Sequence, residues 1–349
     1  MNLLYLLYFV LILGITIFVH ELGHFIFAKK SKIYVYEFSI GMGPKIFKFN
    51  RKNDETTYCI GLIPLGGYVK MSGEEINEDK KIPKNRRLQS KTWGQKFIVM
   101  VAGCMFNFVF AFLILFAIGL FYGSNSTEPK IDSVMEGFPA LASGVEQGDL
   151  ILKIDGQKMT TYDDVLLKLE VSKDKKDLVF EVLKANGTKK TYQIKPVKME
   201  IDNITSYKIG VNFSITKNYG FINAITSSFE KMFSIIKSMF IIIFSLITGA
   251  LGINSLAGPV GIYGIVGDSA QAGIDSVLYL IAFLSINVGF VNLLPFPAFD
   301  GGKVLFLFIE KIRKKPVSSQ VENIIHTVGF VFLMVLMLVI TFQYIQRLF

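Results

Sequence analysis

The chain has 349 residues, 51% hydrophobic and 19% charged, with 37 Lys and Arg against 28 Asp and Glu for a net charge of +9. That mixture fits a multi-pass membrane protein that also carries a water-exposed part. Basic membrane-flanking loops account for the net charge with no nucleic acid partner, and the two cysteines, Cys59 and Cys104, suggest no disulfide framework.

Residues 1–28 read as a first membrane span. From Leu3 to Ala28 the sequence is almost wholly apolar, with no Lys or Arg before Lys29, and is long enough to cross a bilayer. It lacks a basic n-region and a small-residue cleavage site, so the reading is a retained span and not a removed signal peptide. Inside it lies His20-Glu21-Leu22-Gly23-His24. On a helix two histidines four apart share one face and can reach one metal. Glu21 is placed as the unligated carboxylate that activates water and later protonates a leaving amine in H-E-x-x-H metalloproteases. Such groups are costly at membrane depth unless they face protein, a partner or water, which argues for function over accidental spacing.

Residues 29–96 hold 15 Lys or Arg against 7 Asp or Glu, the excess expected of a cytoplasmic loop. A second span covers 97–122. The polar stretch 123–218 is then extracytoplasmic. Apolar runs follow at 233–251, 276–294 and 328–345. Counted naively these make five spans, but four place a further acid, Asp300, on the same side as the histidines. Lys237 and the breakers Gly249, Gly252 and Gly258-Pro259 mark 219–274 as an interfacial or re-entrant segment. The third span is then 275–310, the basic loop 311–327 and the fourth span 328–349.

Asp300 closes Asn292-Leu293-Leu294-Pro295-Phe296-Pro297-Ala298-Phe299-Asp300, followed by Gly301-Gly302. Two prolines two apart cannot continue a regular helix, so the chain must open there, which is tolerated at membrane depth where it lines a cavity. The alternative is a proline-rich turn with a capping Asp. A zinc site needs a third protein ligand beside His20 and His24, and the remaining histidine, His326, reads as an interfacial, snorkelling side chain at the start of the last span.

Over essentially its whole length the chain resembles the site-2 protease family of intramembrane zinc metalloproteases, in the regulator-of-sigma-E protease (RseP) branch. The motif at His20–His24 and the N-x-x-P-x-P-x-L-D-G pattern at Asn292–Gly301, with Phe299 in place of Leu, carry the resemblance. Gly103 and Asn107 match its G-x-x-x-N core, with Cys104 where the family has Pro. Phe38–Lys45 and Pro64–Met71 resemble strands of its membrane-associated cytoplasmic β region. The resemblance implies Zn2+ on His20, His24 and Asp300, Glu21 as general base, and Asn107 and Asn292 binding substrate or the oxyanion.

Lys130–Val134, Gly137-Phe138-Pro139-Ala140 and Gly148–Gly156 resemble a PDZ domain. The fold class implied is an α-helical multi-pass membrane protein with four transmembrane helices, a cytoplasmic membrane-associated β region and one extracytoplasmic PDZ-like α+β domain. The function implied is regulated intramembrane proteolysis in the bacterial cytoplasmic membrane. Its substrates would be single-pass proteins already trimmed by a site-1-type protease, such as an anti-sigma factor or a remnant signal peptide. Two rival classes are a catalytically inactive membrane PDZ scaffold and a metal-binding transporter. The retained His, Glu and Asp residues speak against the first, and the lack of internal repeats against the second.

Overall fold

The computed structural model describes residues 3–74, 82–172, 177–201, 204–214, 216–252, 258–315 and 317–348. In chain order it forms α1 (Leu3–Lys30), β1 (Val35–Asn50), β2 (Thr57–Met71) and α2 (Trp93–Phe121). Next come β3 (Ser124–Asn125), β4 (Ile131–Val134), α3 (Pro139–Ala142), β5 (Leu150–Ile154), β6 (Gln157–Lys158) and α4 (Tyr162–Val171). These are followed by β7 (Leu178–Leu183), β8 (Lys189–Ile194), β9 (Val197–Ile201), β10 (Ile204–Lys208), β11 (Val211–Phe213) and β12 (Lys217–Asn218). The chain ends with α5 (Phe221–Ile247), α6 (Pro259–Ala272), α7 (Ile274–Leu293), α8 (Asp300–Arg313) and α9 (Ser319–Leu348). Two compact units divide it: Met1–Ile114 with Ala257–Gln346, and Leu115–Leu256 with Arg347–Phe349.

Among the described residues, four helical stretches are long and apolar enough to cross a membrane: Leu3–Lys30, Trp93–Phe121, Ile274–Leu293 and Gln320–Gln343. In the first unit, α1 packs against α6 and α7 around Ile12, Val266, Val277, Leu280, Ile281 and Leu284. The C-terminal end of α1 packs on β1, β2 and α2 through Ala28, Ile33, Val35, Phe38, Val69 and Val99. Within the stretch 275–310 read from sequence as the third span, α7 stops at Leu293 and α8 starts afresh at Asp300 beyond the two prolines.

The strands β1 and β2 each contribute twice to one sheet. Residues 35–40 of β1 pair with 67–71 of β2 on one side and 57–60 on the other, while 45–50 of β1 pair back with 57–61. Gly41 and Gly43, with φ of +83° and +79°, supply the turn in mid-strand that makes this possible. The segment 67–71 is thus an outer edge, and among the described residues no further strand pairs with its far side.

The second unit is built on an antiparallel sheet of order β6-β5-β7-β8, with the β4–β11 pair and helices α3 and α4 closing a core of Ile131, Ile151, Ile154, Val165, Leu178 and Phe180. Helix α5 buries Ala224, Ser228, Met232, Ile235 and Met239 along one face. Its polar contacts run to the start of α4: Lys237 to Asp164 at 2.9 Å, Lys231 to Asp163, and Ser234 to Thr161 at 3.1 Å. Phe229, Phe233, Phe240, Phe244 and Ile247 form an exposed apolar stripe. The described residues of 219–274, read as one segment from sequence, hold two helices: α5 belongs to the second unit and α6 to the first, where it packs on α1.

Candidate metal centre and its cavity

His20 and His24 lie one turn apart on α1 and are both buried. Asp300, the first residue of α8, meets them from 276 positions further along the chain than His24. Its Oδ2 is 3.0 Å from each Nε2, and the two Nε2 atoms are 3.2 Å apart. Helix α2 backs this cluster at Gly103, where a Cβ would run into His24 Nε2 and lie 2.9 Å from His20 Cε1. Gly23 gives the reciprocal close approach, lying against Ala102 O. The G-x-x-x-N spacing thus has a physical reason: the glycine vacates the space that the imidazoles fill, and Asn107 reaches His20 one turn later.

The hydrogen-bond pattern tests whether these residues suit a cation. His24 Nδ1 is 2.8 Å from Val99 O, and a carbonyl only accepts, so His24 Nδ1 carries a ring proton, and in the neutral imidazole Nε2 is the lone-pair site. Asn107 is fully buried, with Nδ2 3.4 Å from His20 Nδ1 and Oδ1 without a partner among the described residues. Turning that amide over lets Oδ1 accept the His20 Nδ1 proton, which leaves His20 Nε2 bare as well. With both rings neutral, two imidazole lone pairs and a carboxylate oxygen converge within 3.2 Å. A shared cation relieves that repulsion. An ion with bonds of about 2.0–2.1 Å in tetrahedral geometry spaces its ligands by about 3.3 Å, close to the separations here. Two nitrogens and one oxygen are a donor set that zinc accepts.

The cluster opens on a cavity of about 410 Å³, also lined by Glu21, Met42, Gly66–Val69, Met71, Glu74, Asn292 and Lys303. Glu21 packs against Gly67, where a Cβ would be 3.2 Å from Glu21 Cγ, and its carboxylate has no hydrogen bond or ion pair among the described residues. Asn292 stands on the wall. Asn107 is not part of the lining and instead touches the His20 ring. Lys303, one turn after Asp300, was not singled out from sequence. It bonds Glu74 Oε1 at 2.9 Å, and that carboxylate is the main influence holding the ammonium above its usual pKa. A lysine near a helix start carries no sequence signal for this, since its partner lies 229 residues away. Both cysteines are buried free thiols, and Cys104 Sγ lies 4.0 Å from Asp300 Oδ2.

His326 does not snorkel as the sequence suggested. Its side chain is 18% exposed and turned inward, with Nδ1 accepting the Ala298 N–H at 2.9 Å. The proline-rich loop leaves that amide in need of an acceptor, and the imidazole supplies one.

The family model for peptidase family M50 matches residues 8–336. The chain belongs to this family, the site-2 proteases. Among its relatives, a provisionally named zinc metalloprotease of Clostridium perfringens is 37% identical, over 97% of this chain and 98% of its own length. Zinc metalloprotease RasP of Bacillus licheniformis is 33% identical and regulator of sigma-W protease RasP of Bacillus subtilis 31%, each covering 98% of both chains. The site-2 protease described here is a zinc metalloendopeptidase of the RseP branch, and its apolar helices make it an integral membrane protein.

Proposed function

We propose that this site-2 protease cuts the transmembrane segments of single-pass membrane proteins, with zinc held by His20, His24 and Asp300. The observation that carries the reading is the convergence of three lone-pair donors beside an unpaired Glu21, on helices apolar enough to cross a bilayer. When bound, the ion supplies a Lewis acid that makes water nucleophilic at neutral pH and polarises the scissile carbonyl. Glu21 takes the proton from the attacking water and returns it to the leaving amine. Asn292, on the cavity wall, offers an N–H donor where the oxyanion forms, while Asn107 orients the His20 ring.

A substrate helix has its amides paired and must unwind before any carbonyl can be attacked. Gly67, Tyr68, Val69 and Met71 of the outer edge line the same cavity, which supports capture of the unwound segment by strand addition. The β region and this edge would lie on the cytoplasmic side, as the basic loops suggest. Residues 123–218 would form an extracytoplasmic PDZ-like domain. Supporting this, Gly148-Asp149 leads into β5, and Asp155-Gly156 turns it into β6 within a small sheet flanked by α3 and α4. That domain would bar substrates with bulky outer parts, and the apolar stripe of α5 would lie in the membrane interface.

The setting is regulated intramembrane proteolysis in the bacterial cytoplasmic membrane, after a first cut by another protease. An anti-sigma factor is the favoured substrate class, given the relative named regulator of sigma-W protease, with remnant signal peptides the second. The test is cleavage of a co-expressed, pre-trimmed single-pass substrate by the wild type and by Glu21→Gln. Cleavage by the wild type alone supports the reading. Equal cleavage by both removes Glu21 from the chemistry, and zinc binding without cleavage of several such substrates favours a metal-binding scaffold or transporter.

A further inference from the structure

The loop between α7 and α8 must deliver Asp300 to within hydrogen-bond distance of two imidazoles; inside it Phe296 N–H donates to Leu294 O at 2.7 Å and Phe299 N–H to Phe296 O at 3.2 Å, while the Ala298 N–H finds its acceptor outside the loop. Pro295 and Pro297 have no N–H to give. Ala298 has φ of +84°, a conformation that costs a residue with a side chain, so surroundings must impose it. Those surroundings are one face of α9. His326 Nδ1 accepts the Ala298 N–H at 2.9 Å, and its ring lies against Phe306 of α8 with centroids 5.6 Å apart. One turn on, Gly329 lets the backbone come so close that a Cβ there would sit 2.7 Å from Pro297 O. A turn further, Phe332 packs on Phe296 with centroids 5.9 Å apart. Positions 326, 329 and 332 climb α9 in three-residue steps, so each is the surface neighbour of the next.

We propose that His326 is a positioning residue for the metal centre: by accepting the Ala298 N–H, on a helix face whose Gly329 and Phe332 grip the same loop, it fixes the direction in which Asp300 points. The inference rests on the reading of His20, His24 and Asp300 as the zinc site. It assigns His326 no contact with substrate, water or metal. Since a backbone N–H only donates, His326 works through a bare Nδ1, and a replacement must put an acceptor at that atom's position.

Asn and Gln separate this from a general packing role. The Oδ1 of Asn falls where Nδ1 lies, whereas the amide of Gln reaches toward Nε2. The test uses the full chain in detergent, comparing wild type, His326→Asn, His326→Gln and His24→Ala for zinc retained against a competing chelator, for kcat and KM, and for melting of the metal-free form. Expected are near wild-type zinc affinity in His326→Asn and a fall of about 10-fold or more in His326→Gln. The fall in His326→Gln should appear in kcat with KM unchanged, and metal-free melting should be the same in both. Wild-type zinc affinity in His326→Gln, or equal weakening in both variants, overturns the inference. Failure of the wild type to bind zinc, or full retention by His24→Ala, overturns the metal-centre reading beneath it.

Discussion

Replacing Gly103 by Ala is a one-methyl perturbation aimed at the space that holds the two imidazoles. The new Cβ would lie 2.8 Å from His24 Cδ2 and 2.9 Å from His20 Cε1, and closer still to His24 Nε2. Carbon atoms pack at about 3.5–4.0 Å, so both rings must retreat by roughly 0.6 Å or more. Metal and catalytic constellations tolerate misplacement of about 0.5 Å. The fold is perturbed less, because Ala favours a helix over Gly by about 0.8–1.0 kcal/mol, against an overpacking cost of about 1–3 kcal/mol. The expected result is a protein that still folds, holds zinc about 10–100-fold more weakly, and loses about 100-fold in kcat/KM. Chelator competition, substrate cleavage and thermal melting read the three quantities on one preparation. A Gly103→Ala protein that retains zinc and cleaves like the wild type would refute the placement of α2 against the imidazoles.

In the second unit, Lys184 is 8% exposed and bonds Glu146, Asp149 and Gly144 O, while the Asp149 side chain is 1% exposed. Lys184→Met leaves Asp149 without this ammonium partner and should lower unfolding stability by about 2 kcal/mol or more, measured by denaturant melts. Burial works to raise the pKa of the Asp164 carboxyl, but hydrogen bonds from Lys237 and Thr160 outweigh it and hold the group below its ordinary value. The stability it contributes is therefore complete above the unfolded pKa of about 4 and is lost as pH falls through the lower folded value. Hydrogen-exchange protection factors in α4 and α5, corrected for the intrinsic rate, should fall over that acid range in the wild type, and Asp164→Asn should show less of the change. Lys303→Gln should weaken the tie between α8 and Glu74 and raise KM while leaving zinc content intact; loss of zinc instead would place Lys303 in support of the metal ligands.

Much of the site was legible because its signals are local. The i, i+4 histidines on an apolar helix specify a shared face, and Pro295 with Pro297 specifies a break, which the structure places between Leu293 and Asp300. The approach of Asp300 to His20 crosses 280 residues, and the four-span topology with the need for a third ligand pointed to it before the resemblance of both motifs to one family implied it. What stayed hidden depends on partners that sequence spacing does not reveal. Gly41 and Gly43 fold β1 into two rows of one sheet, a consequence of backbone freedom that leaves no hydrophobic pattern. His326 sits where a span begins, so position alone suggests snorkelling; its true environment is a loop amide contributed by another element. Asn107 reads as a donor for substrate, but complete burial beside His20 makes it a partner of the ring.

Zinc content, with X-ray absorption at the zinc edge, is the most direct test of the central claim that His20, His24 and Asp300 form the metal site. The account predicts one zinc per chain in the wild type and in Glu21→Gln, bound by nitrogen and oxygen with imidazole scattering, and its loss in both His24→Ala and Asp300→Ala. Wild-type zinc in those two variants, or a sulfur ligand at the ion, would contradict it.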